Sequence, residues 1–205
     1  MCATKFDACN NKRVGDRFEF GRYPQGANGE VQPITWRVLE RDSDSVLVIA
    51  EQGLDAKCYN GQRCGVTWAD CTLRRWLNEE FFKEAFNEQE RSLIKTSNLA
   101  NNTGPSTEDR IFLLSVDEAK SFFATDNDRA CKPTNYAVKN GAYKAGSLFS
   151  FLFGGIAGNA WWWLRSSGYG NLRAAVVFSS GGIGDNGDGV IRSDGSVRPA
   201  LRLAL

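Results

Sequence analysis

The chain has 205 residues, 42% of them hydrophobic, which is enough for one substantial core and reads as a single domain. Its 25 Lys and Arg offset 24 Asp and Glu, leaving a formal net charge of +1 and no basic run, so composition points to no nucleic-acid or acidic-membrane partner. There is no histidine, which removes the commonest general base, the commonest transition-metal ligand and every His-dependent nucleophile pair.

Residues 1–13 are polar and expected to be flexible, with the domain spanning 14–205. Met1-Cys2-Ala3-Thr4-Lys5 has no apolar signal core, and Cys2 is open to being an ordinary residue or a lipobox cysteine. Asp16–Gly21 alternates apolar and polar residues, with Phe18 and Phe20 on one face, and predicts a strand. Ile34–Leu39 and Ser45–Ala50 predict two more, joined by Asp42-Ser43-Asp44, so the N-terminal part reads as an antiparallel meander. Thr67-x-x-Asp70 resembles a capping box, and Trp68, Cys71, Leu73, Trp76 and Leu77 recur at roughly helical spacing. Phe81, Phe82, Ala85 and Phe86 continue that face, and Asn87-x-x-Glu90 opens a short helix through Leu93-Ile94. Asn98–Asp109 reads as a polar surface loop. Ile111–Leu114 predicts a buried strand, and Ser115-x-x-Glu118 caps a helix bearing Ala119, Phe122 and Phe123. A further short helix follows Pro133, placed in its first turn.

From Trp161 onward, isolated apolar residues (Trp162, Leu164, Ala175, Val177, Ile183, Val190, and Val197 to Leu203) stand among glycines and turn residues, as in a small, strongly twisted sheet with exposed loops. Strands gathered after helices give an α+β architecture. The longest mostly apolar run, Ser147–Ala157, falls short of the roughly 20 residues a membrane span needs. It reads as a core element, or as an exposed patch through Phe149, Phe151 and Phe153 that supports binding or oligomerisation. None of the six cysteines (Cys2, Cys9, Cys58, Cys64, Cys71, Cys131) forms a CxxC, which disfavours a zinc ribbon or a thioredoxin-like site. Cys58 and Cys64 flank Tyr59-Asn60-Gly61 and are open to being bridged in an oxidising compartment or free.

The residue alphabet changes near position 145. The last lysine is Lys144, the last glutamate Glu118 and the last glutamine Gln89, whereas Arg, Asp, Ser, Asn and Gly continue to the end. Every residue type in Tyr169–Ser193 is reachable from a codon ending in C with its first two bases free. This pattern reads as a tail written by a mutational process acting on adenines in asparagine codons. Strands and tight turns disfavour Glu and Lys on their own account, which explains part of the depletion but not the persistence of Asp and Asn.

Two fixed strings bracket this tail: Trp161-Trp162-Trp163-Leu164-Arg165-Ser166 and Gly195-Ser196-Val197-Arg198-Pro199-Ala200-Leu201. Together with the alphabet change they resemble the variable proteins of diversity-generating retroelements, which use a C-type-lectin fold related to the formylglycine-generating enzyme. The segments Phe20–Gln25, Thr35–Leu39, Leu73–Asn78, Phe112–Ser115 and Lys132–Ala137 look like an uncharacterised bacterial domain family that often carries such tails. The resemblance runs from about Val14 to the end. Ser167 departs from it, since related tails usually carry proline there, which leaves the first loop looser.

The resemblance implies a C-type-lectin-like fold with a variable region over about 147–198 and no catalytic role. It implies that Trp162, Leu164, Ala175, Val177, Val190, Val197 and Leu201 form a core independent of the loops between them. The expected ligand contacts are Tyr169, Gly170, Asn171, Leu172, Arg173, Val176, Phe178, Ser179, Gly182, Gly184, Asp185, Asn186, Asp188, Gly189, Ile191, Arg192 and Ser193. Aromatic and Arg side chains would anchor the ligand, and Asn, Ser and Asp would adapt to it. Arg165 and Arg198 sit among apolar residues, so each is expected to have a dedicated carboxylate or carbonyl partner. The ligand, a protein or a glycan, is not specified, and neither is the cellular location.

Gly184–Gly189 is rich in Asp and Gly, but its spacing departs from a calcium loop and no bidentate glutamate follows, so no metal is assigned there and no cofactor is expected, while structural calcium elsewhere in a lectin-like fold is left open. An oxidase like the formylglycine-generating enzyme needs a close pair of reactive cysteines, and none lies beyond Cys131. A fixed-specificity carbohydrate-binding lectin would suit the Trp-rich composition. A residual catalytic route is an activated thiolate at Cys71 or Cys131 near Arg74, Arg75 or Lys132.

Overall fold

The computed structural model describes Cys9, residues 11–146 and residues 156–205. The expectations for residues 1–8 and 10, and for Ser147–Gly155 within the apolar run, lie outside the described residues. Of that run, Ile156 and Ala157 are described and exposed. Within the N-terminal stretch Cys9 is buried at 1% exposure, and Arg41 Nη1 donates to its carbonyl at 3.0 Å.

The N-terminal strands form as the alternation predicts: β1 (Arg17–Pro24), β2 (Val31–Arg41) and β3 (Ser45–Ala50) pair antiparallel in order. β1 keeps Phe18, Phe20 and Tyr23 inside although their spacing changes from two to three, because the pairing with β2 shifts register between Glu19 and Arg22. Gly21 sits at that bulge with φ +67, and a Cβ there would lie 2.5 Å from the Phe86 ring. Strand β3 lies between β2 and β13 and is buried along its whole length, so both of its faces are covered.

After the short strand β4 (Asp55–Ala56), a helical run comprises α1 (Thr72–Trp76), a π-helical turn (Leu77–Phe81) and α2 (Phe82–Ala85). It buries Leu73, Leu77, Phe81, Phe82 and Ala85. The capping box expected at Thr67 is not the start of this helix. Thr67 Oγ1 bonds Asp70 instead, and Cys71 is the N-cap, its sulfur accepting from Arg74 N at 3.3 Å. Asn60 Oδ1 takes the Thr72 amide at 3.2 Å, so the first free amide of the helix is satisfied from another segment. Helices α3 (Glu88–Leu93), capped by Asn87 and Glu90, and α4 (Val116–Phe122), capped by Ser115 and Glu118, have the reciprocal boxes read from sequence.

Between α3 and α4 lie β5 (Ile94–Lys95), β6 (Ser97–Leu99), β7 (Thr107–Asp109) and β8 (Ile111–Phe112). The loop expected over Asn98–Asp109 is therefore a β6–β7 hairpin whose tip, 102–106, is exposed. Its end is held by buried Asp109, which accepts from Trp68 Nε1 (2.9 Å), Arg74 Nε (2.6 Å) and Thr107 Oγ1 (2.9 Å). Next come α5 (Asp126–Arg129), which the sequence reading missed, and α6 (Asn135–Lys139), N-capped by Thr134 so that Pro133 precedes the cap.

The C-terminal strands are β9 (Trp162–Ser167), β10 (Arg173–Val177), β11 (Ile183–Gly189), β12 (Ser196–Val197) and β13 (Ala200–Ala204). One sheet has the order β1-β2-β3-β13-β5, with β8 also on β13; the second has the order β11-β10-β9-β12-β4, with β12 and β9 parallel. The architecture is mixed α+β and mostly sheet. Among the described residues no helix is long and apolar enough to cross a membrane.

Candidate functional site

The frame residues are buried as expected: Trp162, Leu164, Ala175, Val177, Val190, Val197 and Leu201 are all 0–1% exposed. Trp162 donates Nε1 to Arg129 O at 3.2 Å, and Trp163 donates to Lys57 O at 2.9 Å. Consecutive tryptophans on a strand point to opposite faces, so each face of β9 is anchored by its own ring.

Both framework arginines have dedicated partners. Arg165, 4% exposed, pairs with the Glu118 carboxylate and donates to Leu113 O at 3.1 Å. Arg198 is fully buried and donates to the carbonyls of Ala50 (2.8 Å) and Arg129 (2.9 Å), with its guanidinium 5.0 Å from the Trp162 ring centre. Burial lowers the Arg198 pKa. Both guanidiniums are therefore engaged inside the protein.

Eleven of the expected contact residues are exposed: Tyr169, Gly170, Asn171, Leu172, Arg173, Phe178, Asp185, Asn186, Ile191, Arg192 and Ser193. Tyr169 is 82% exposed, Leu172 43%, Phe178 49% and Ile191 47%. Ser179, Gly182, Asp188 and Gly189 are half-buried. Two expectations are corrected: Val176 is 1% exposed and Gly184 is also buried. Strand β10 is covered on both faces, so Ala174 to Val177 are all interior and alternation gives no outward side chain, while Gly184 on β11 lies under the Phe178 ring.

The exposed residues do not form one patch. Strand β10 advances about 3.3 Å per residue, so Phe178 lies roughly 16 Å from Arg173. Tyr169–Arg173 and Ile191–Ser193 gather at one end of the β10–β11 hairpin. Phe178, Ser179 and Gly182 occupy the other end, where Arg129 Nε donates to Gly181 O at 2.9 Å and Asn159 Nδ2 to Ser179 O at 3.3 Å.

Residues outside the tail build the rim at the first end. Asn102 grips Ser167 reciprocally, accepting its N–H at 3.1 Å and donating to its carbonyl at 3.3 Å. Val66 N donates to Asn171 O at 3.0 Å and Asn60 N to Val190 O at 2.8 Å. The intervening loop 61–65, which includes Arg63 and Cys64, is exposed beside Asn171. The sequence marked Tyr59-Asn60-Gly61 and Asn101–Pro105 only as turns, with nothing to say that they meet the tail. On the Ser193 side a recess of about 450 Å³ contains Lys57, whose ammonium lies 4.4 Å from the Trp76 ring centre.

Residues 43–205 match the model of the Domain of unknown function (DUF6273), a span that includes the whole second sheet and every candidate contact. The chain belongs to this family. No curated protein and no solved structure matches it.

Within this DUF6273 domain the charges on the candidate face are largely engaged with one another. Arg192 bonds Asp188 and Asp194 and lies 4.8 Å from the Trp161 ring centre, so it braces the turn after β11 more than it offers a free anchor. Hydrogen bonds with Asp194 raise the Arg192 pKa. Burial acts to raise Asp194, but the bonds from Arg192 and Trp161 outweigh it and hold its carboxyl below the usual range. Asp188 is occupied by Arg192 and by the Gly189 amide at 2.8 Å. Among the described residues no group of three His, Cys, Asp or Glu side chains could hold a metal ion.

Burial pushes the Cys71 thiol up to about 12 and raises that of Cys131, where Arg198 opposes the shift without overcoming it. At both thiols burial outweighs the neighbouring cations. Cys58 and Cys64 are separate, unbridged thiols.

Proposed function

We propose that this chain is a non-enzymatic binding module whose exposed C-terminal loops are diversified by a retroelement, on a scaffold of the C-type-lectin type. One observation carries the reading: the ties from the rest of the chain reach the loops through the loops' main chain. Asn102 holds the N–H and C=O of Ser167; Val66, Asn60, Arg129 and Asn159 hold the carbonyls of Asn171, Val190, Gly181 and Ser179. Every residue but proline offers the same peptide groups, so the bonds at Ser167, Asn171 and Ser179 survive a change of side chain, whereas buried Val190 and Gly181, at φ +90 with no room for a Cβ beside Asp126, belong to the fixed frame. The side chains at 169–173, 185–186 and 191–193 are meanwhile turned to solvent, in the stretch with the restricted alphabet. A rigid frame with replaceable loops is the physical requirement for one fold to meet many targets.

The ligand is a protein or glycan surface met by Tyr169, Leu172 and Ile191 as apolar contacts and by Asn171, Arg173, Asp185 and Asn186 as polar ones. The test is at the DNA level. A nearly identical repeat beside the gene, next to a reverse transcriptase, should differ from it at adenines in codons for the exposed residues and should match it at Trp162, Leu164, Ala175 and Val177. A locus with no such repeat, or with differences spread equally over buried and exposed codons, overturns the proposal.

A further inference from the structure

We propose that positions 178 and 184 are one recognition unit, in which the size of residue 184 decides whether the side chain at 178 lies on the sheet or stands away from it. Gly184 on β11 pairs with Val176 on β10, and Phe178 follows Val176 by two residues on the same face. A Cβ added at Gly184 would lie 2.6 Å from Phe178 Cζ, 2.8 Å from Phe178 Cε2 and 3.1 Å from Val176 Cγ2. The Phe178 ring therefore occupies the space that a side chain at 184 would need.

The two neighbours differ in their freedom to move. Val176 is 1% exposed and pairs with Trp163 on its other side, so it is held. Phe178 is 49% exposed, and its amide is tied to Gly182 O at 2.8 Å, so the backbone stays and the ring is the part that can yield. The other candidate glycines behave differently: an added Cβ meets nothing within 4 Å at Gly189 and nothing closer than 3.4 Å at Gly182. Of the hairpin glycines among the candidate contacts, Gly184 alone is coupled to another candidate contact. This end of the face thus presents an apolar ring from 178 or a side chain from 184, but not both in place. The use of the pair in recognition rests on the proposed binding function; the steric coupling does not.

A double-mutant cycle on the purified chain without ligand tests the coupling. Gly184→Ala should lower the melting temperature by about 2–6 °C when Phe178 is present. In the Phe178→Ala background the loss should fall to half or less, and Gly189→Ala should shift both backgrounds equally. An equal effect of Gly184→Ala in the two backgrounds, zero included, overturns the inference. Because no ligand or gene variation enters the measurement, this result is independent of whether the loops are diversified. If they are, large residues at 184 should occur with small residues at 178.

Discussion

Trp162 shows at a single residue why frame and loop differ. It is fully buried, hydrogen-bonded to Arg129 O and stacked under the Arg198 guanidinium, so truncation removes packing and leaves a buried cation less well held. Trp162→Ala should cost about 3–5 kcal/mol, while Arg173→Ala and Ser179→Ala should stay within about 0.5 kcal/mol. Asp188→Ala loses the surface pair with Arg192 and should cost no more than about 1 kcal/mol. A denaturant titration giving similar losses for Trp162 and Arg173 would contradict the division. Glu51 supplies a pH signature. Burial acts to raise its pKa, but bonds from Arg37 (2.6 and 2.8 Å) and Arg17 (2.9 Å) lower it below the ordinary 4.5. A carboxylate lowered in the folded state contributes stability above the unfolded value and loses it as pH falls through the folded value. Stability should therefore decline below about pH 4.5, and Glu51→Gln should be less stable at neutral pH with a shallower acid limb. Parallel pH profiles for the two proteins would show that Glu51 is not the group responsible.

At the scale of elements, the strands β1 to β3 and the boxes at Asn87 and Ser115 were legible because their causes are local: alternation over a few residues, or a side chain three positions from its amide. The Thr67 box failed because the amide at Thr72 is satisfied by Asn60, a residue whose approach no local pattern announces. The β6–β7 hairpin was hidden in the same way: its polar residues read as solvent-facing, whereas Asp109 is held inside by Trp68 and Arg74. Its exposed tip has a positioning role for the candidate face, because Asn102 makes two bonds to Ser167. Asn102→Ala should leave global stability within about 1 kcal/mol while speeding amide exchange at Ser167. Unchanged protection at Ser167 would show that the first loop is held without this hairpin.

At the scale of the whole molecule, the sequence by itself determined which residues are interior in the tail. The glycine-punctuated apolar residues are buried apart from half-buried Ile183, and eleven of the seventeen expected contacts are exposed. It also determined that Arg165 and Arg198 must have partners, since a cation among apolar residues is untenable alone. The tertiary structure alone decided that β13 closes the N-terminal sheet between β3 and β5, and that β12 runs parallel to β9. It alone decided that β10 is covered on both faces and that the Phe178 ring lies over Gly184, which removes Val176 and Gly184 from the face. It also separates Phe178 from Tyr169 along a strand, and brings the 61–66 and 102–106 loops up to the tail. The physical reason is the range of the forces that are read. Burial preference is a property of a side chain and its near neighbours, whereas strand order and loop contact depend on segments more than 50 residues apart, such as Asn102 and Ser167, meeting through peptide groups that every residue carries alike.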